Sequence, residues 1–129
     1  MTFVTRKERI MTIIKIDKPV KVSEIKKVFN NQFPYLKIEF FKKKHKELQG
    51  SLKKDVIVDD FSITAPNGAN DIIISEDMLV SEFENQFAEK LKLSAQVFRK
   101  SGGSWLETTF TDSWTLKKQN DEGLELSNI

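Results

Sequence analysis

Two stretches of equal length decide the fold: Thr12 to Lys42, TIIKIDKPVKVSEIKKVFNNQFPYLKIEFFK, and Asn70 to Lys100, NDIIISEDMLVSEFENQFAEKLKLSAQVFRK. Laid over each other at a shift of 58 residues without a gap, they share much of their pattern of apolar positions. Each opens on a β-branched run, Ile13-Ile14-Lys15-Ile16 or Ile72-Ile73-Ile74, and passes through a polar connection into a helical period. Val22, Ile25, Phe29 and Phe33 in the first copy match Val80, Phe83, Phe87 and Leu91 in the second, and each set forms one apolar stripe on a 3.6-residue repeat. Ser23 and Ser81 suit a first helical turn, where Glu24 and Glu82 meet the positive end of the helix dipole. Pro34 predicts the end of the first helix, and the second fades through Lys92 and Leu93.

A strand-like segment follows each helix, Leu36 to Phe41 and Ala95 to Arg99, with Phe40 and Phe98 coinciding. Two β-α-β units in series predict an α+β fold of the ferredoxin-like kind, a two-layer sandwich with both helices on one face of a single sheet. A β-grasp arrangement is the structural alternative. Outside the repeats 12–42 and 70–100, the reading predicts a strand over Asp55 to Ile63 that extends the sheet and a turn at Pro66-Asn67-Gly68. It then predicts a hairpin turn at Ser101-Gly102-Gly103-Ser104, a strand from Trp105 to about Phe110, and a short helix over Thr115 to Asn120 capped by Asp112 or Ser113, with frayed last residues. Met11-Thr12 repeats the opening Met1-Thr2 at the start of the first unit, so residues 1–10 are expected to be peripheral.

The 129 residues suit one domain with one core. The chain has 31% charged residues, and no apolar run approaches the roughly 20 residues of a bilayer crossing. The N-terminus lacks the apolar segment of a signal peptide, and a cytoplasmic location is expected. The absence of cysteine excludes disulfides, thiolate metal sites and Cys nucleophiles, and the single His makes histidine-based metal or acid-base sites implausible. Neither a P-loop, a Gly-x-Ser-x-Gly elbow, a dinucleotide fingerprint nor an EF-hand spacing occurs. No catalytic residue, cofactor or metal is assigned, and Asp59, Asp60, Glu107 and Asp112 share no periodic face that would gather them around a cation.

Charge is distributed unevenly: residues 1–54 carry a net +10 and residues 55–129 a net −8. This suits a basic face for a polyanion or two mutually attracting halves. Lys26 and Glu84 occupy equivalent repeat positions, so helices lying side by side would present complementary outer faces. The candidate polyanion surface is the basic run Lys42, Lys43, Lys44, His45 and Lys46, with Tyr35 and Phe41 as stacking aromatics; the competing reading has the aromatics in the core and the lysines solvated. Trp105, Phe110 and Trp114 are a candidate ligand pocket, or a cover over the edge of the core.

The C-terminal string VFRKSGGSWLETTFTDSWTLKKQN resembles a family of small uncharacterised bacterial proteins, a likeness that extends back through FPYLKIEFFKKKHK and implies no activity. The leading expectation is a non-catalytic protein-interaction module, binding a protein partner or forming a homodimer. One alternative is a single-stranded nucleic-acid-binding domain using residues 42–46, and another is a small-ligand sensor or enzyme with its pocket near Trp105 and Trp114.

Overall fold

The computed structural model describes residues 2–6, 9–41 and 56–127, with side chains from Met11 onward. In chain order the elements are β1 (Thr2–Arg6), β2 (Arg9–Ile16), β3 (Val20–Lys21), α1 (Val22–Gln32), β4 (Leu36–Phe41), β5 (Ser62–Ile63), β6 (Asn70–Ser75), α2 (Val80–Leu91), β7 (Ser94–Ser101), β8 (Ser104–Glu107), a 3-10 turn at Thr109–Thr111, and α3 (Leu116–Ser127). The fold is mixed α+β with small antiparallel sheets.

The helix boundaries follow from local chemistry. At the start of α1, Asp60 receives the Ser23 N–H and hydroxyl at 3.0 and 2.9 Å, while the Phe61 carbonyl takes the Val22 N–H at 2.8 Å. Those Ser23 bonds, the backbone one first, hold the Asp60 carboxyl below its ordinary pKa. At the start of α2, the Leu79 N–H donates to Glu82 Oε1 at 2.7 Å, and the carbonyls of Trp114 and Asp112 take the N–H groups of Val80 and Ser81. Lys92 ends α2 in the left-handed region, at φ 56°.

Pairing departs from the expected single sheet. A ferredoxin-like arrangement would place β2 and β6 at the centre and β4 and β7 on opposite flanks. Instead β1-β2-β6 forms one three-stranded sheet and β4-β7-β8 another, with β3 and β5 as a separate two-stranded pair. In the first sheet Ile14 faces Ile72, and in the second Ile38 faces Val97 and Glu39 faces Gln96. Joining the sheets would require edges that other groups occupy. The free edge of β6 is taken by the Gln86 side chain, which accepts the Ile73 N–H at 2.8 Å and donates to its carbonyl at 2.7 Å. The free edge of β4 is met by a bridge from Val56 to Phe41 and by the Ile57 N–H on the Phe40 carbonyl, that of β2 by β1, and that of β7 by β8.

The two sheets share one core through the apolar faces of α1 and α2. Its centre is a continuous run of rings. Phe33 meets Phe29 at 5.6 Å, Phe29 stacks on Phe83 at 4.8 Å, Phe83 meets Phe87 edge-on at 5.3 Å, Phe87 meets Phe40 at 5.3 Å, and Phe40 meets Phe61 at 6.3 Å. These separations are those of favourable aromatic pairs.

Three other expectations need correction. The strand expected over Asp55 to Ile63 reduces to the Val56 bridge and the two residues of β5, because Asp60 leaves the strand path to cap α1. The strand expected to reach Phe110 stops at Glu107, where the chain turns into the 3-10 segment. The short C-terminal helix runs to Ser127; Thr115 Oγ1 accepts the Lys118 N–H at its start, in place of Asp112 or Ser113. The two turns form as expected. Gly68 donates to the Ala65 carbonyl, and Gly102, at φ 59°, fits the first central position of a type II′ hairpin turn.

Helix α3 is held against the body at Gly123. A Cβ there would lie 2.7 Å from Tyr35 Cβ and 3.1 Å from the Tyr35 carbonyl oxygen. Helix propensity alone would favour Ala at this position by about 1 kcal/mol, but overpacking against backbone costs roughly 1–3 kcal/mol. Gly123→Ala is therefore expected to lower the urea midpoint, whereas Gly103→Ala, which meets nothing within 4 Å, is expected to leave it within experimental error.

Candidate functional site

Chemistry gathers around β7 and β8. In an antiparallel strand the N–H and C=O of one residue point to the same side, and alternate residues point to opposite sides. Ser101 and Ser104 close the two-residue hairpin and Arg99 faces Leu106, so the next groups of β7 directed toward β8 are those of Val97. Beyond Glu107, however, β8 peels away. Thr108 still covers the Val97 carbonyl, with its N–H at 3.3 Å and its hydroxyl at 2.9 Å. The Val97 N–H turns instead to Glu84 of α2, donating to Oε2 at 2.7 Å. A helix side chain thus replaces the acceptor that the departing strand withdraws.

Glu84 is only 7% exposed. Burial pushes its pKa up to about 8, against the opposing effect of the Val97 hydrogen bond, with the negative charges of Asp112 and Glu107 adding to the rise. The surrounding network is polar and buried. Gln96 donates to the Val97 carbonyl at 3.1 Å while its Oε1 has no hydrogen-bond partner among the described residues. Arg99 donates to Gln119, and Gln119 donates to the carbonyl and hydroxyl of Thr111. Among the described residues, no group of three His, Asp or Glu side chains is placed to hold a metal ion.

The sequence reading placed Glu84 on a solvated outer face complementary to Lys26. The structure separates them: Lys26 pairs with Glu39 at 2.7 Å and Glu84 is inside. The signal was present, since position 84 lies four residues after Val80 and three before Phe87, on the apolar stripe itself.

Of the candidate polyanion residues, Lys42, Lys43, Lys44 and Lys46 lie outside the described residues. Phe41 is 2% exposed and so is not free to stack on a base, although it lies on the face of β4 opposite Ile38 and Phe40 and outside the core cluster. Tyr35 is half-buried beneath α3; its N–H donates to Asn120 Oδ1 and its carbonyl accepts the Lys100 N–H. Trp105, Phe110 and Trp114 do not converge on a pocket. Trp105 lies with Phe98 on the outer face of the second sheet, where Lys37 sits 5.1 Å from its ring centre and Lys100 5.6 Å. Trp114 lies between Arg99 and Lys118, and Arg99 points to the opposite face of β7 from its neighbours Phe98 and Lys100. Phe110 is 86% exposed and Leu106, on the edge strand, 43%. No helix among the described residues is long and apolar enough to cross a membrane.

Comparison with known proteins finds no matching family model, no matching curated protein and no matching solved structure.

The ionisation of Glu84 predicts a pH effect with a definite sign. Its folded pKa lies above the ordinary carboxyl value, so the folded state holds a proton that the unfolded chain has released between about pH 4.5 and pH 8. The stability this proton supplies is fully present below that window and is lost as pH rises through it. Glu84→Gln keeps an acceptor for the Val97 N–H and removes the ionisation. It is expected to flatten the urea-stability profile across the window and to gain on the order of 2–4 kcal/mol at pH 8.

Proposed function

We propose that this chain is a non-catalytic protein-interaction module that pairs with a second copy of itself along the edge strand β8. The observation that carries the reading is an edge strand with which no described strand pairs on its outer side. Arg99 faces Leu106 in the hairpin, so the backbone N–H and C=O groups of Trp105 and Glu107 are directed away from β7, beside the exposed side chain of Leu106. Two such strands related by a two-fold axis through Leu106 would exchange hydrogen bonds between Trp105 of one copy and Glu107 of the other. The two Leu106 side chains would then meet at the close, non-hydrogen-bonded pair. Phe110, just past the strand, adds apolar area beside it.

A duplicated β-α-β origin belongs to the same proposal. At the 58-residue shift Ile14 is the counterpart of Ile72, and the two are register partners. In β4 and β7 the register partners, Ile38 with Val97, are one residue out of step with that shift, so Ile38 and its counterpart Gln96 lie on opposite faces. The β2-β6 register fits a pseudo-two-fold axis relating the units, and the β7-β8 hairpin follows the second unit.

A second reading rests on the outer face of the second sheet, where Phe98 and Trp105 lie beside Lys37 and Lys100 as in sheets that bind single-stranded nucleic acid. Glu39 and Glu107 share that face by register, which weakens it for a polyanion.

Sedimentation of the full chain decides between the two. Self-association predicts twice the 14.9 kDa chain mass at concentrations of about 100 µM, and conversion to monomer by Leu106→Asp with an unchanged circular dichroism spectrum. A monomer at that concentration, or a dimer indifferent to Leu106→Asp, overturns the edge-strand reading. Labelled single-stranded RNA, titrated at about 50 and 200 mM salt, tests the second reading through a steep loss of affinity that Lys37→Ala and Lys100→Ala reduce.

A further inference from the structure

The two helices meet their neighbouring strands differently, and the difference leaves a cleft. In the second unit Gln86 of α2 clasps both backbone groups of Ile73, and Lys90 donates to the Asp71 carbonyl at 2.8 Å, so the helix is stitched to β6. At the 58-residue shift the positions of Gln86 and Ile73 are held by Val28 and Lys15. Valine has no hydrogen-bonding group with which to close the gap. A cleft of about 400 Å³ lies there, and both Val28 and Lys15 line it.

The walls of the cleft divide into two chemistries. Its apolar part is formed by Ile14, Val20, Ile25 and Val28. Its polar part is Lys15, Lys18 and Lys27 with the single acid Glu24, and among the described residues no salt bridge engages any of the three ammonium groups. The backbone adds a donor. Ile73 directs its N–H away from β2, which makes the facing pair Ile13 and Ile73 non-hydrogen-bonded within the sheet. By alternation Lys15 also directs its N–H and C=O away from β6. On that side the described register with β1 runs as far as Ile13, and no described residue pairs with Lys15. The Lys15 N–H therefore points to the side where, in the second unit, an amide oxygen of Gln86 waits for its counterpart.

We propose that this cleft binds a small amphipathic anion, a medium-chain carboxylate whose head accepts from the Lys15 N–H as the Gln86 amide does from Ile73. The three ammonium groups supply the charge, and the chain of the ligand lies on the half-buried Val20 and Val28, above the buried Ile14 and Ile25. The volume is within the range of small-molecule sites, and a few converging polar groups over an apolar floor are their usual composition.

The test uses decanoate, with acetate and decanol as the head alone and the chain alone, followed by ¹⁵N amide shifts of the full chain. Decanoate is expected to saturate below about 1 mM and to move the amides of Lys15 and Val28, while acetate and decanol bind at least tenfold more weakly. Val28→Gln, which copies the second unit and closes the gap, is expected to weaken decanoate binding tenfold or more with an undiminished melting temperature. Lys15→Ala with Lys18→Ala and Lys27→Ala should weaken decanoate while leaving decanol unchanged. Saturation that survives both sets of changes, equal binding of decanol, or no saturation by decanoate overturns the proposal. None of these outcomes depends on the edge of β8.

Discussion

The run of phenylalanine rings from Phe33 through Phe29, Phe83, Phe87 and Phe40 to Phe61 is the interaction on which the remainder depends. It crosses from the end of α1 to α2, then to β4 and the segment before β5, so it passes from one helix to the other and from the helices to a strand. Among the described residues, no strand pairing joins the two three-stranded sheets. What unites them is burial of apolar side chains from both against the same two helices. Each aromatic pair adds only about 0.5–1.5 kcal/mol beyond its buried area, but the run acts as one body because every ring except the end ones is held on two sides.

With the core fixed in this way, the edges of the sheets become the problem to be solved, and α2 solves two of them with side chains. Gln86 supplies both a donor and an acceptor to β6, which suits a neutral amide. Glu84 supplies an acceptor to β7, and it carries the cost of doing so in a buried place. The same helix thus terminates one sheet without an ionisable group and the other with one. The β8 edge, by contrast, has no described side chain laid across it.

The helices were legible because a stripe of four apolar positions survives any tertiary context, and Pro34 and the Ser-Glu openings marked their ends. The Gly102 hairpin was legible because two-residue turns have their own chemistry. Sheet membership was not, because periodicity says which face of a strand is buried and nothing about which strand lies beside it. The choice fell to groups distant in sequence: Gln86 on β6, Val56 against β4, Asp60 leaving the strand path to cap α1. The site residues divided similarly. Phe41 reads as surface aromatic or core with equal ease until β4 is placed, and Trp105 and Trp114 are near in sequence but are set on opposite faces by the alternation of Phe98, Arg99 and Lys100.

The pairing of β2 with β6 and of β4 with β7 also sets the order in which this chain can become a protein. Apart from the β1-β2 and β7-β8 hairpins, no strand of the two main sheets finds its partner within its own half. On a ribosome, the segment from Thr12 to Phe41 emerges with β4 to pack beside α1, but the rest of the core follows only with Asn70 and later residues. Closing loops of nearly sixty residues is costly in entropy and slow compared with helix formation. The first half therefore waits with β2 paired on one side to β1 and β4 still lacking β7, and β6 and β7 complete the two sheets.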